Sequence, residues 1–141
     1  MVTVIVASHG ELADAFLKTS ALLFGRQERV FALGFYPGED IGQLTQQMEH
    51  LLDSGNPDGY IILTDILGGS PYNVAAQLAL KQPHVEVVAG VNLPLLLEVL
   101  QIRVMLSLQA LAQRIMELKA DTIVVLSERL GEQQNVLEEL E

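Results

Sequence analysis

Asp65-Ile66-Leu67-Gly68-Gly69-Ser70-Pro71 and Ala7-Ser8-His9-Gly10 are the two most informative stretches of this chain. Each follows a run of apolar, strand-like residues, 2–6 and 60–64, and each leads into a helix-like pattern. In an open α/β sheet, residues at the carboxyl ends of parallel strands meet in one crevice. We therefore expect a histidine, a carboxylate and a glycine-rich helix start to share one site, which suits handling a phosphoryl group on an imidazole.

Strand-like and helix-like patterns alternate along the chain around these stretches. Strands are predicted at 2–7, 30–36, 59–64, 85–89 and 122–126, and helices at about 11–24, 41–51, 71–81, 93–102 and 108–118. Short strands alternating with amphipathic helices are typical of a parallel sheet with crossover helices. The predicted fold is a single α/β domain, an open, doubly wound, mainly parallel sheet with helices on both faces.

Helix ends are marked by capping residues. Gly25 lies where a C-terminal cap belongs, and Asp40, Asn92 and Ser107 precede helix-like runs. Ser70 is predicted to cap the third helix, with Pro71 in the first helical position, where its missing N–H costs nothing.

The composition limits which classes of protein are possible. The 141 residues suffice for one domain, here 1–127 with an acidic tail 128–141, and half of them are hydrophobic. Cysteine is absent, and the net charge of −10 disfavours nucleic-acid binding. No signal peptide is recognisable at the start, and charged residues interrupt the longest apolar stretches before they could span a bilayer. We expect a cytoplasmic protein.

His9 is the leading candidate for chemistry. A histidine at a strand end can simply bond to a nearby carbonyl, and that structural interpretation stays open. Its position before Gly10 and a helix start favours function instead, because Gly10 adds no side chain to shield the imidazole and helix N-termini attract anions. His50 and His84 lie away from any glycine-rich loop and are expected to be surface residues.

Asp65 has two interpretations. As a structural residue it would cap the following loop by accepting backbone N–H groups. As a functional residue it would accept a hydrogen bond from one ring nitrogen of His9, which would leave the other nitrogen free as a nucleophile and stabilise the cationic ring during transfer.

The segment Gly68-Gly69-Ser70 is the candidate phosphoryl-binding loop, together with Gly10. Residues without Cβ let the backbone approach a ligand closely, and Ser70 adds a hydroxyl donor. An ordinary tight turn is the alternative. The segment is not a P-loop, no G-x-S-x-G elbow occurs, and the scattered histidines imply no metal.

Four motifs resemble the mannose-family IIA domain of the bacterial sugar phosphotransferase system (PTS). They are Ser8-His9-Gly10, FYPGE at 35–39, DILGGSPYN at 65–73 and AGVNLP at 89–94. The resemblance implies that His9 is the phosphorylation site and that Asp65 holds it. It also implies a homodimer that exchanges a C-terminal strand, here 122–126.

The function that this resemblance implies is a phosphotransferase relay through a phosphohistidine. His9 would accept phosphate from the phosphocarrier HPr and pass it to a IIB component, expected on a separate chain. The phosphate would finally reach a sugar entering through a membrane IIC/IID permease. No metal or other cofactor is required.

Three alternatives remain at this stage. The chain could be the phosphotransfer subunit of a dihydroxyacetone kinase system, although that family lacks the Gly-Gly-Ser-Pro run. It could be a phosphorylation-sensing regulatory module, although no DNA-binding region is present. It could be a receiver-like domain phosphorylated on Asp65, although Ser8-His9-Gly10 replaces the acidic pocket that receivers need.

Overall fold

The computed structural model describes residues 1–140 and has the predicted α/β alternation. The strands are β1 (Thr3–His9), β2 (Val30–Phe35), β3 (Tyr60–Thr64) and β4 (Val85–Ala89). The helices are α1 (Leu12–Phe24), α2 (Ile41–Leu52), α3 (Ser70–Lys81), α4 (Leu93–Ile102), α5 (Leu108–Leu118) and α6 (Leu126–Glu139), with a short 3₁₀ turn at Lys119–Asp121.

The sheet is parallel and has the strand order β2-β1-β3-β4. The chain passes from β1 to β2 on one side and then places β3 on the other side of β1. The strand order therefore reverses between β1 and β3. Ligands of open α/β folds bind at such a reversal, outside the carboxyl ends of the strands.

Helices cover both faces of the sheet, which confirms the doubly wound prediction. Val4 and Val6 of β1 face a core shared with α1, α4 and α5, and Ile5 and Ala7 face a second core shared with α2 and α3. Both cores are mainly aliphatic, and the second also contains Tyr60. Because β1 and β3 are buried on both faces, they read as continuous apolar runs in the sequence.

Most predicted helix boundaries are confirmed by their caps. The side chains of Asp40, Asn92 and Ser107 accept hydrogen bonds from backbone N–H groups in the first turns of α2, α4 and α5. Gly25 ends α1 with φ of 79°. Strand β1 extends two residues beyond its predicted end, because His9 pairs with Phe35 of β2.

The predicted cap at Ser70 is wrong by one residue. Gly69 occupies the N-cap position of α3, Ser70 is the first helical residue, and no side chain caps this helix. Residue 69 is sterically restricted: a Cβ there would lie 2.6 Å from Cε1 of His9, which favours glycine where the chain enters the helix.

The predicted strand at 122–126 is not formed in this chain. Residues 123–125 belong to no helix or strand, and α6 begins at Leu126. A strand needs a neighbouring backbone to pair with, and this segment pairs with none of the four strands, although β4 has an open edge. Its apolar side chains are exposed, Ile123 to 76%. The acidic tail is helical to Glu139.

Arg103 closes the end of the sheet opposite the carboxyl ends of the strands. Its side chain is only 1% exposed and donates hydrogen bonds to the carbonyl oxygens of Val2, Glu28 and Arg29. Burial, and the neighbouring Arg29 charge, lower the pKa of the Arg103 guanidinium. The residue joins the end of α4 to the starts of β1 and β2.

Candidate functional site

His9 and Asp65 lie together at the point where the strand order reverses. His9 is the last residue of β1, and Asp65 directly follows β3, its neighbour in the sheet. The sequence placed both residues at strand ends, and the parallel pairing of β1 with β3 brings them side by side. This is the crevice in which the fold binds ligands.

The two residues are joined through one carboxylate oxygen. Oδ2 of Asp65 lies 2.8 Å from Nδ1 of His9 and accepts the His9 main-chain N–H at 2.9 Å. Oδ1 accepts the main-chain N–H of Ile66 at 2.9 Å. Asp65 therefore caps the loop and contacts the histidine ring at the same time, so the hydrogen bonds that both interpretations require are present.

Asp65 is held in its charged form. Burial alone would raise the pKa of its carboxyl, but the hydrogen bonds from the His9 main chain, the His9 ring and the Ile66 main chain outweigh it, so the pKa lies below its usual value. An ionised carboxylate only accepts hydrogen bonds, so Nδ1 of His9 carries the proton. In the neutral ring Nε2 then has a free lone pair.

The Nε2 side of the ring faces the start of α3. A Cβ at Gly69 would meet Cε1 at 2.6 Å and Nε2 at 3.3 Å, so the ring lies directly against this backbone. Phe35 contacts the ring edge to face, with centroids 6.4 Å apart. The His9 side chain is 46% exposed, whereas that of Asp65 is 10% exposed. The histidine side chain is thus accessible to an incoming molecule.

The predicted phosphoryl-binding loop lies beside that nitrogen. Gly68 adopts φ of 82°, which favours glycine, and its carbonyl accepts a hydrogen bond from the side-chain amide of Asn73 at 3.1 Å. Within residues 1–140, the main-chain N–H groups of Gly68, Gly69 and Ser70 donate to no protein acceptor. Free N–H groups at a helix N-terminus suit an anion.

Gly10 has a different part in the site. It adopts φ of 57°, and its N–H donates to the carbonyl of Phe35 at 2.8 Å. Its amide is therefore engaged by β2, and what Gly10 supplies is a backbone conformation that exposes the ring. His50 and His84 are exposed residues outside this crevice, as predicted.

Sequence reasoning missed three residues that support the site. The buried Ser8 hydroxyl accepts the Ala13 N–H at 2.7 Å, which fixes the start of α1 behind His9. Gly34 is required because a Cβ there would meet the Gly10 carbonyl oxygen at 2.6 Å. Asn73 restrains the glycine-rich loop. Only Asn73 gave a usable signal, as an amide one turn into the helix after that loop.

Neither a metal site nor a membrane helix is found in the part of the chain that the structure describes. Within residues 1–140, no three His, Cys, Asp or Glu side chains are grouped so that they could hold a metal ion. None of the helices formed by these residues has the length and apolar character needed to cross a membrane.

The site combines a carboxylate-held, exposed histidine with free helix N–H groups in a doubly wound fold, and this arrangement suits the transfer of a phosphoryl group. Comparison with known proteins agrees. A family model described as "PTS system fructose IIA component" matches residues 3–116. The chain is 35% identical over 131 residues to the fructose-specific PTS EIIA component of Bacillus subtilis (strain 168), covering 92% of this chain and 90% of that protein.

Further relatives carry different sugar names. The sorbose-specific EIIA component of Klebsiella pneumoniae is 34% identical over 125 residues, covering 89% of this chain and 92% of that protein. The mannose-specific EIIAB component of Escherichia coli (strain K12) is 37% identical over 103 residues, but the match covers only 32% of that longer protein. A PTS EIIA crystal structure from Streptococcus agalactiae superposes with a TM-score of 0.85 at 27% identity, covering 91% of this chain and 99% of that one.

The chain belongs to the mannose-type EIIA family of the sugar phosphotransferase system. Members of this family are phosphoryl-relay components, and membership implies interaction with HPr and IIB components.

Proposed function

We propose that His9 accepts a phosphoryl group at Nε2 from phosphorylated HPr and passes it to a IIB component. The observation that supports this most directly is the 2.8 Å contact between Nδ1 of His9 and Oδ2 of Asp65. It supports a proton on Nδ1 and leaves the lone pair of Nε2, which lies beside the glycine-rich loop, as the nucleophile. In this role the protein works in the cytoplasm, upstream of a membrane IIC/IID permease that delivers the sugar.

The bonds and electrons of the transfer step balance without a cofactor. The Nε2 lone pair of His9 attacks phosphorus, and the P–N bond to the donor histidine breaks with its electron pair returning to that ring. Asp65 stabilises the positive charge that develops on the His9 ring. The N–H groups of Gly68, Gly69 and Ser70 face the equatorial phosphoryl oxygens. Since a P–N bond is present before and after, the step is close to reversible and depends on positioning and electrostatics.

The receiver-like alternative is disfavoured by the contacts of Asp65. A phosphorylated aspartate needs a free carboxylate oxygen as the nucleophile. Here Oδ2 accepts two hydrogen bonds from His9 and Oδ1 accepts one from Ile66.

The surface around His9 suits docking of another protein. Four large apolar side chains are exposed near the carboxyl edge of the sheet, namely those of Leu12, Tyr36, Ile66 and Leu67. Exposed apolar groups rimmed by polar residues are typical of protein interaction sites. The acidic net charge favours a partner with a basic surface.

The homodimer with strand exchange remains part of the proposal. Strand β4 is at the edge of the sheet, and an open edge can accept a strand from a second copy. The exposed segment 123–125 begins next to that edge, because the Asn92 side chain after β4 donates to the Thr122 hydroxyl at 3.0 Å. Sedimentation at low micromolar concentration tests this: a stable monomer would contradict it.

Intact-mass measurement tests the relay itself. Wild type and His9→Ala are incubated with enzyme I, HPr and phosphoenolpyruvate, with His50→Ala and His84→Ala as matched controls. We expect one phosphate, stable to alkali and labile to acid, on the wild type and both controls but not on His9→Ala. Phosphate uptake by His9→Ala, or none by folded wild type, would overturn the assignment.

A further inference from the structure

Helix α6 carries a regular, mainly apolar stripe that no other element of residues 1–140 covers. The stripe repeats at intervals of four, three, four and three residues, and its members are Leu126, Leu130, Gln133, Leu137 and Leu140. Such spacing averages 3.5 residues and keeps the positions on one side of a helix. They extend over roughly 21 Å at the usual rise of an α-helix.

The stripe is exposed along its whole length. None of the side chains in α6 is buried, and no other element of residues 1–140 packs extensively against this helix. Leu126 is 71% exposed, Leu137 63% and Leu140 79%. A helix of this length is marginal in water without packing, and Gly131 in its interior weakens it further. The helix therefore needs a partner.

The charges of α6 indicate what kind of partner covers the stripe. All acidic side chains of the helix lie at outer positions, away from the stripe: Glu128, Glu132, Glu138 and Glu139. The positions that flank the stripe are Ser127, Arg129, Gln134 and Val136, which include no acidic residue. A basic groove on another protein would be matched by acids beside the stripe. Their absence there allows two copies of α6 to approach without repulsion between like charges.

Gln133 supplies the second argument for self-pairing. It is the only polar residue of the stripe and its middle member. In a two-fold pair, each residue near the axis faces its own symmetry mate. An amide both donates and accepts hydrogen bonds, so two Gln133 side chains can satisfy each other. A single polar residue in such a seam selects register and number of strands.

We propose that α6 pairs with α6 of a second copy through the Leu126–Leu140 stripe, with Gln133 facing its two-fold mate. This contact lies outside the phosphoryl-transfer site and is separate from strand exchange, so it holds whether or not segment 123–125 pairs with β4. It ties two relay sites into one particle.

Cysteine cross-linking tests the pairing, because the chain has no cysteine of its own. Gln133→Cys places a thiol in the seam, and Asn135→Cys places one on the opposite side of the same helix as a matched control. Under mild oxidation of the full chain, we expect the Gln133→Cys dimer to form at least about tenfold faster, since facing thiols meet the distance requirement of a disulfide. Equal rates for the two variants, fast or slow, would overturn the proposal.

A second pair of variants separates α6 pairing from any other dimer contact. Adding Leu130→Glu to the Gln133→Cys chain should slow cross-linking to the rate of the Asn135→Cys control, because it places two carboxylates in the seam. Adding Asn135→Glu introduces the same charge on the outer face and should leave the rate unchanged. Cross-linking that survives Leu130→Glu would show that another contact holds the helices together and would contradict the proposal.

Discussion

A single oxygen of Asp65 binds both the main chain and the ring of His9. Oδ2 lies 2.9 Å from the His9 main-chain nitrogen and 2.8 Å from Nδ1. Two contacts from one acceptor to one residue leave the imidazole little rotational freedom about its side-chain bonds. The carboxylate therefore sets the protonation of the ring and also its direction, with Nε2 against the start of α3. Positioning of this kind is what phosphoryl transfer requires.

Replacing Asp65 by asparagine should slow phosphoryl transfer without unfolding the protein. The amide can still accept a hydrogen bond from Nδ1–H, but it carries no charge to stabilise the developing imidazolium. We expect the rate of phosphate uptake from phosphorylated HPr, measured by quenched flow and intact mass, to fall about 10²-fold or more. Asp58→Asn, which removes an acid that binds the Met1 amino group, is the control and should transfer normally. Normal transfer by Asp65→Asn would reduce Asp65 to a loop cap.

Asp65 should also contribute to acid sensitivity. Its pKa in the folded protein lies below the usual 3.8, so the native state binds this proton less readily than the unfolded chain. The stabilisation is therefore present above about pH 4 and is lost as the pH falls through the native pKa. Chemical denaturation of wild type and Asp65→Asn should show a stability difference that shrinks between about pH 5 and pH 2. A difference that stays constant over this range would contradict the shift.

Gly69→Ala and Gly68→Ala should separate site geometry from backbone strain. At position 69 the new methyl group would overlap the His9 ring, so we expect phosphate uptake to be largely lost with little strain, since φ there is −77°. At position 68 the methyl group meets open space, but φ of 82° is unfavourable for alanine and should cost about 1–2 kcal/mol. Thermal unfolding and intact mass measure the two effects. A Gly69→Ala protein that is phosphorylated at the normal rate would show that the ring need not lie against this backbone.

Arg103 should matter for stability and not for transfer. Arg103→Leu would leave the carbonyl oxygens of Val2 and Glu28 without their donor, whereas that of Arg29 would keep the Val4 N–H. We expect a loss of about 3 kcal/mol or more, because buried acceptors without partners are costly. This corresponds to a fall of roughly 10 °C in Tm for a domain of this size. Arg26→Leu, at an exposed position, should change Tm little. A Tm change no larger than that of the control would argue against the buried network.

The sequence by itself determined the fold class and the candidate residues of the site. Continuous apolar runs such as 2–7 and 59–64 identify buried parallel strands, because strands covered on both faces carry no polar alternation. Caps such as Asp40, Asn92 and Ser107 act through neighbours a few residues away, so their signals are local. His9 and Asp65 could be placed at strand ends because each follows one of these apolar runs in the sequence.

Only the tertiary structure decided which contacts the residues of the site make with one another. The pairing of β1 with β3 brings the Asp65 carboxylate to the His9 ring, and that ring lies against Gly69 at the α3 N-cap. The buried Arg103 depends on carbonyls about 75 to 101 residues away in sequence. Segment 122–126 has a strand-like composition but pairs with no strand of its own chain within residues 1–140. Hydrogen-bond partners, unlike apolar periodicity, are supplied by distant residues, which a local pattern does not encode.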